Sequence, residues 1–458
     1  MEYHEAASYL TSFQQRRPKL GTETTARMLS TLGDPQFDFD CVQIAGSNGK
    51  GSTARLLESV LRQAGLRVGL FISPGLNDFR EQVRVDGHAV PKHQVVQYVQ
   101  QLHPFIDQLS EEGNEPTYFE VLTAIALRHF GEMDVDVAIL EVGIGGQHDA
   151  TSAVDPVASA VTSVSLEHTE LLGETVEEIA RDKSQVAPED TPLVTGADGA
   201  ALEAIHEETD TVTVASEPTD DPDVLAVEIG MHSTVENEVW IIGPNWSLQT
   251  NLSLLGPHQA VNAGIATTLA RQFASVDVDT IAEGLHAATW PGRFEIMSTE
   301  PMIVLDGAHN PSSAAVLSKL LNRYNYDDLH LVFAAMADKE YGQMLEELPV
   351  AETAYIGRPN TERAETTDAL AGTLSQYANA VDVSSAVPEA TERAIEASES
   401  DDFVLVTGSL HTVSEARKRW TSASTPIVRS DESNASGPAF NTSAVTNTPM
   451  ELTDEADQ

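Results

Sequence analysis

The stretch VQIAGSNGKGST, residues 42–53, constrains this chain most, because an apolar run breaks into a glycine-rich turn carrying one lysine and two hydroxyls. Val42, Ile44 and Ala45 suit a buried strand. Gly46, Gly49 and Gly51 let the backbone turn tightly with its N–H groups inward, and Ser52 onward reads as a helix start. The result is a cradle for a triphosphate, with Lys50 as its fixed counter-charge. In the common pattern a hydroxyl directly follows the lysine and holds Mg2+. Here the glycine spacing is shorter and Gly51 stands between Lys50 and Ser52. A plain glycine-rich strand-to-helix turn would explain the glycines but not the lysine and hydroxyls beside them.

Lysine is scarce elsewhere. There are seven, at positions 19, 50, 92, 183, 319, 339 and 418, against a formal net charge of -45. Surface carboxylates hold water and hydrated cations when salt is molar and the Debye length is about 3 Å, so the composition points to a halophilic cytoplasm. A basic face for nucleic acid is not expected. An acidic disordered chain is excluded over most of the length, because the 41% of apolar residues fall into strand and helix patterns. The length of 458 residues suits two domains. Cys41 is the only cysteine, which rules out an internal disulfide, and its place beside a strand reads as packing. The first residues lack a basic segment followed by an apolar core, and no apolar run reaches about 18 residues. A soluble cytoplasmic protein without a membrane partner is expected.

Strand patterns at 42–45, 68–71, 136–142 and 157–164 alternate with helical patterns at 52–64, 93–109, 118–130 and 174–186, the βα rhythm of a mostly parallel sheet. Residues 192–250 hold short strands at 212–215, 224–229 and 238–242 between acidic and proline-containing turns, which suggests an antiparallel elaboration before a helix at 258–273. A second βα series follows, with strands at 302–306 and near 329–335, 353–356 and 403–407. The expected organisation is a first domain over 1–295, a smaller α/β domain over 296–420, and an acidic, disordered and dispensable tail over 421–458.

Two further segments carry chemistry. In LEVGIGGQHDATSAV, residues 140–154, Glu141 ends an apolar strand where open α/β sheets meet their ligands, and a carboxylate there suits Mg2+. In SVSLEHTELLGETVEEIARDKSQVA, residues 163–187, His168 follows another strand and Lys183 lies near the end of an acidic helix. His168 could bind metal or organise a metal-bound water, but taken alone it reads more often as a structural histidine, and Lys183 more often as a helix-surface partner of Glu177 or Glu178.

Together with these segments, SPGLNDFREQVRVDG, YFEVLTA, LLGPHQAVNA, PGRFE, LDGAHNP and TGSL occur in the order and approximate spacing of the dihydrofolate synthase/folylpolyglutamate synthase family, within the Mur-ligase superfamily. The chain resembles that family over residues 20–420. The resemblance implies an N-terminal P-loop domain of Mur-ligase type with a parallel sheet, and a smaller C-terminal Rossmann-like α/β domain. ATP and Mg2+ are the implied cofactors, with K+ admitted as a second cation. Gly46, Asn48, Gly49, Lys50, Gly51 and Ser52 match the family's nucleotide loop, and Ser52, Ser73, Glu141 and His168 the metal set. Lys183 matches a lysine that the family carries as a carbamate. Asn262 and Arg293 look like nucleotide contacts, Arg293 on the phosphates; Asp306 and His309 look like second-domain contacts, Asp306 on the ribose. Asn310 also suits a helix cap. The chain departs from the pattern at Gly75, Gln147 and Glu167, where the family usually has histidine, arginine and aspartate.

The implied activity is ATP-dependent amide ligation through an acyl phosphate, with Lys50, Glu141, His168 and Lys183 at its centre. L-glutamate would join dihydropteroate, a reduced folate, or both, on a monomeric enzyme. Two rivals stand beside it: a Mur-type ligase for another acid and amino acid, and a non-catalytic P-loop regulator. Glu141, His168, Lys183 and the full DGAHNP turn speak against the regulator, which has no need of a metal-centred set.

Overall fold

The computed structural model describes residues 1–16, 19–218 and 221–421; the acidic tail expected over 421–458 lies outside them apart from residue 421. The chain divides into two compact units, Met1–Ile229 with Glu236–Pro291, and Gly230–Val235 with the residues from Gly292 onward.

The first unit is built on eleven strands: β1 (Asp40–Ala45), β2 (Val68–Phe71), β3 (Val83–Val85), β4 (His88–Ala89), β5 (Val137–Glu141), β6 (Ala158–Val161), β7 (Leu193–Thr195), β8 (Thr211–Ala215), β9 (Val224–Ser233), β10 (Glu236–Gly243) and β11 (Trp246–Leu252). Their order is β11-β10-β9-β8-β7-β6-β1-β5-β2-β3-β4. The central run from β2 to β9 is parallel, and β3, β4 and the β10–β11 pair are antiparallel. A parallel strand covered on both faces reads as an unbroken apolar run, and the VAILE of β5 is buried at every position. In β1 the alternation sends Val42 and Ile44 to the core under helices Lys50–Gln63, Pro257–Ala274 and Val278–Ala287, while Cys41 faces the helices Tyr3–Ser12, Glu23–Thr31, Lys92–Glu111 and Tyr118–Glu132. Burial pushes the Cys41 thiol up to about 12, so the side chain packs as an inert hydrophobe.

This topology positions the site. From β1 the chain passes through Lys50–Gln63 to β2 on one side, whereas β6 leads to β7 on the other. The carboxyl ends of β1 and β6 therefore flank the point where the winding reverses, the place where such sheets open a crevice for ligands. Two expectations need correction. The segment 192–250 is not wholly an antiparallel elaboration: β8 pairs in parallel with both β7 and β9, and the antiparallel pairing resolved there is β10 with β11. Turn composition marks where strands stop but not their direction. The helix expected from Ser52 starts at Lys50, with Gly49 as its N-cap at φ 94°, a backbone state that glycine reaches without steric cost.

The second unit holds β12 (Glu295–Thr299), β13 (Met302–Leu305), β14 (Leu329–Phe333), β15 (Ala351–Ile356), β16 (Ala378–Val383) and β17 (Phe403–Thr407), ordered β12-β13-β17-β14-β15-β16. β12 is antiparallel to β13 and the remaining pairs are parallel. Among the described residues no helix is long and apolar enough to cross a membrane.

Between helices Lys92–Glu111 and Tyr118–Glu132 lies a buried polar knot. Tyr98 donates to Glu132 Oε2 at 2.7 Å and lies 3.2 Å from His129 Nδ1. Burial holds His129 down at about 4, against a nearby Glu132 that pulls the other way. The folded state thus refuses a proton that the unfolded chain takes near pH 6.5, so stability present at neutral pH is lost as pH falls from about 6.5 to 4, by about 3 kcal/mol. Denaturant titrations in molar KCl at pH 7 and pH 4.5 should show most of this loss, and the His129→Gln variant should lack that part of the slope. An unchanged slope in the variant would assign the acid sensitivity to other groups.

Candidate active site

The turn after β1 is fastened to the segment after β6 by hydroxyls. Thr162 Oγ1 donates to the Asn48 carbonyl at 2.7 Å, and Ser163 Oγ brackets the same residue, donating to its carbonyl at 3.0 Å and accepting from its N–H at 3.1 Å. Ser47 N–H donates to the Ser163 carbonyl at 2.7 Å, and Ser165 N–H to Ser47 Oγ at 3.0 Å. Gly46, at φ 136°, lies so close that a Cβ there would overlap Thr162 Oγ1. On the other flank Asn262 presses on Gly49, where an added Cβ would stand 2.6 Å from its Oδ1. Thr53 donates to that Oδ1 at 3.2 Å, and the Asn262 amide donates to Gln259 Oε1 at 3.0 Å, so helix Pro257–Ala274 sets the second wall of the turn.

Positive charge converges beneath it. Lys50 Nζ donates to the carbonyls of Gly46 at 2.8 Å and Ser47 at 3.2 Å. Lys183, from helix Val176–Ser184, donates to the same Gly46 carbonyl at 3.3 Å and pairs with Glu167 Oε1 at 2.8 Å. At 2% exposure Lys183 is no helix-surface partner of Glu177 or Glu178. Burial lowers its pKa, with Lys50 adding to the effect and Glu167 opposing it. Burial alone would raise Glu167, but Lys183 and Lys50 outweigh it and hold the carboxyl below its ordinary range.

Glu141, at the end of β5, accepts from Ser73 N–H at 2.8 Å, and a side chain at Gly51 would stand 3.5 and 3.6 Å from its two carboxylate oxygens. The carboxylate therefore lies over the first helical turn after the cradle, where Ser52 is buried. His168 follows Glu167 directly and caps the short helix Thr169–Leu172 in a left-handed conformation at φ 47°, an uncommon state for a residue with a side chain. Among the described residues no three His, Cys, Asp or Glu side chains converge tightly enough to hold a metal by themselves. The donors present are hard oxygens, a carboxylate and hydroxyls beside a phosphate cradle. They fit Mg2+, which binds one or two carboxylates and takes the rest of its shell from water and substrate phosphates. A cavity of about 790 Å³ opens beside Asn48, Gly49, Ser163, His258 and Asn262, within the first unit.

The second unit carries Arg293, Asp306 and His309. The Asp306 carboxylate accepts from Phe294 N–H at 2.8 Å and Ala308 N–H at 2.9 Å, and burial raises its pKa against the nearby Arg293. His309 Nδ1 lies 2.9 Å from the Gly307 carbonyl. Asn310 caps helix Pro311–Leu321 by accepting from Ser313 N–H at 2.8 Å.

Several residues that shape the site escape sequence reasoning. Thr162 and Ser163 carry only the signal of hydroxyls following an apolar strand, and Gln259 that of a polar residue in a helix start. Asp149 is the most informative omission. Its carboxylate accepts from Gly143 and Ile144 N–H at 3.1 and 3.0 Å, Thr151 N–H at 3.0 Å and Thr151 Oγ1 at 2.6 Å, tying down the turn that follows Glu141.

Two domain families match: the Mur ligase middle domain over residues 44–270 and the Mur ligase, glutamate ligase domain over residues 292–410. The chain is 50% identical over 424 residues to a probable bifunctional folylpolyglutamate synthase/dihydropteroate synthase of Halobacterium salinarum, covering 92% of this chain and 52% of that protein. It therefore spans about half the length of that relative, and likewise 51% of a Haloferax volcanii protein of the same description, to which it is 47% identical over 93% of its own length. To the Bacillus subtilis dihydrofolate synthase/folylpolyglutamate synthase it is 31% identical, over 91% of this chain and 99% of that one. Among solved structures, the Thermotoga maritima folylpolyglutamate synthase aligns with a TM-score of 0.80 at 31% identity, covering 93% of this chain and 98% of that one. Escherichia coli FolC in complex with DHPP and ADP aligns at 0.79 and 28% identity, over 92% and 98%.

Asp149→Ala should destabilise the protein by about 2–4 kcal/mol, because several buried donors lose their acceptor at once. Urea denaturation in molar KCl measures it, and a loss below about 0.5 kcal/mol would mean that the turn after Glu141 holds itself.

Proposed function

Because the chain belongs to the dihydrofolate synthase/folylpolyglutamate synthase family, we propose that it is an ATP-dependent ligase joining L-glutamate to the carboxylate of dihydropteroate, of a reduced folate, or of both. The observation that carries this reading is the convergence of Lys50 and Lys183 on the Gly46 carbonyl, at a turn whose far side meets the Glu141 carboxylate. An arrangement with phosphate-binding backbone, fixed cation and a hard-oxygen carboxylate suits phosphoryl transfer more than hydride or acyl-enzyme chemistry. The dihydropteroate synthase activity in the names of the Halobacterium salinarum and Haloferax volcanii relatives is not part of the proposal.

A carboxylate is a poor acyl donor, so the acceptor's carboxylate oxygen attacks the γ-phosphorus of ATP, the bond to ADP breaks, and an acyl phosphate forms. The glutamate amine then attacks the acyl carbon, phosphate leaves, and the amine gives up a proton. Lys50 turns from the two loop carbonyls to the phosphate oxygens, where it stabilises the charge of the transferring group. The N–H groups of the turn, kept in place by Thr162, Ser163 and Asn262, orient the phosphates. Arg293 supplies a second cation from the other unit's sequence, and Asp306 and His309 are assigned to the nucleotide, Asp306 to the ribose. Ser52, Ser73, Glu141 and His168 would hold Mg2+, which would offset phosphate charge when bound. Lys183 joins that set as a carbamate, formed when its neutral amine adds CO2 and releases a proton; an ammonium beside Mg2+ would be repelled, whereas a carbamate is an oxygen ligand of the kind the metal prefers.

Purified protein in molar KCl with ATP, Mg2+, glutamate and either dihydropteroate or a reduced monoglutamate folate should release ADP and phosphate with a new glutamyl amide detectable by mass spectrometry. Turnover requiring a different acid would favour another Mur-type ligase. Lys50→Ala should keep its thermal midpoint and lose about 3 kcal/mol of transition-state stabilisation, on the order of 100-fold or more in rate. Protein equilibrated with 13C-labelled CO2 should show a carbamate carbon signal that is missing from Lys183→Ala, and that variant should be inactive, with partial recovery in short carboxylic acids. A labelled spectrum identical for both proteins would remove the carbamate from the mechanism.

A further inference from the structure

Arg293 lies in a turn whose shape costs energy to keep. Phe294, next to it, is held at φ 43°, a left-handed conformation that a bulky side chain avoids. Three side-chain anchors enforce it. The Phe294 ring is buried and stacks on Tyr324 at a centroid distance of 5.9 Å. The Phe294 N–H donates to Asp306 Oδ2 at 2.8 Å. Most telling, Glu295 closes the turn from its far side, accepting from Gly292 N–H at 2.9 Å, so one carboxylate ties together the residues on both sides of Arg293. That carboxylate is gripped by Arg417 of helix Leu410–Thr421, whose Nε lies 3.0 and 2.9 Å from its two oxygens and whose Nη2 lies 2.9 Å from Oε1. The pair is nearly buried, the Arg417 side chain 9% and the Glu295 side chain 10% exposed. Gly307 N–H donates to the Gly292 carbonyl at 2.9 Å, and Arg293 Nη1 fills the space that a side chain at Gly307 would need, so the guanidinium leaves the turn in one defined direction.

We propose that Arg417 and Glu295 are positioning residues, a buried ion pair that keeps the 292–295 turn in its strained form and thereby aims the Arg293 guanidinium at the transferring phosphate. This rests on the reading of Arg293 as a phosphate contact given above. The planar fork of Arg417 meets both carboxylate oxygens, which a lysine ammonium cannot do, so charge alone does not replace it. With the grip gone, the Glu295 carboxylate swings away from Gly292 N–H, Phe294 relaxes toward a right-handed backbone, and Arg293 loses its preset direction.

The test is a mutant cycle on the full chain in molar KCl, reading kcat for ATP-dependent ligation, KM for glutamate and the thermal midpoint. R417K should lower kcat on the order of 10- to 100-fold, the usual effect of a misplaced catalytic group, with the glutamate KM unchanged. The double variant R293A/R417K should be no slower than R293A alone, because a positioning residue has nothing to position once its target is gone. E295Q, which keeps the shape of the side chain and its acceptor for Gly292 N–H but weakens the grip, should behave like a milder R417K. Effects of R293A and R417K that multiply, or a fall in thermal midpoint with kcat intact, would overturn the proposal, as would failure of both R417K and E295Q to fold. Normal turnover in R293A would instead remove the phosphate-contact reading, and the proposal with it.

Discussion

One carbonyl oxygen, that of Gly46, accepts from both Lys50 and Lys183, and the chemistry of the first unit is arranged around that point. Before the carbamate forms, two amines share one peptide oxygen, and the carboxylates of Glu167 and Asp182 offset part of the cost of charge on Lys183. Carbamate formation removes that repulsion and leaves Lys50 as the fixed cation of the turn, inclined to take up anionic oxygens. The preference is local: the chain as a whole carries a formal net charge of -45, and two of its seven lysines are spent here. A phosphate thus meets a positive focus within a strongly negative surface, and the molar salt that such a surface tolerates shortens the reach of the repulsion to about 3 Å.

The focus stays in place because its support is backbone and hydroxyl rather than mobile charge. The bonds of Thr162 and Ser163 to Asn48, and of Ser163 and Ser165 to Ser47, join the ends of β1 and β6, the two strands between which the winding of the sheet reverses. Topology thereby converts a feature of strand order into a chemical one. The segment that buttresses the cradle runs on without interruption into Glu167 and His168, so the phosphate turn, the counter-charge of Lys183 and the assigned metal histidine all depend on the same few residues after β6.

How much of this is legible in the sequence follows from burial. Strands covered on both faces, such as β5 and β17, declare themselves as apolar runs, and the residues whose chemical type is diagnostic, Lys50, Glu141 and His168, stand at their ends. Strands at or next to an edge do not: β16 alternates weakly with several exposed positions, and β3 and β4 are too short to show a period. Strand direction is equally silent, which is why the parallel pairing of β8 with β9 departs from expectation. In the site, a supporting residue is invisible when its partner is remote. Glu295 and Arg417 are 122 positions apart, and neither motif nor spacing joins them. Asp149 is nearer to hand, since an acid two residues after Gln147 in a glycine-rich turn has few solvated roles once that turn is buried.

The strained residues give the same conclusion from the energetic side. His168, itself assigned to the metal, and Phe294, directly beside Arg293, both sit in left-handed conformations. Folding selects against such backbone states unless neighbouring contacts over-determine them. For Phe294 the contacts are the Asp306 acceptor, the Tyr324 ring and the Glu295–Arg417 pair. For His168 they begin with the helix it caps, whose Leu171 and Leu172 N–H groups donate to its carbonyl at 2.8 and 3.0 Å. In each unit the sequence thus holds an unfavourable backbone state at a residue of the site or beside one, and for Phe294 the free energy that holds it comes from ring packing and a buried ion pair. Stability and catalytic geometry are therefore coupled through these anchors, and a substitution that relaxes either turn would make the fold easier while making the site less exact.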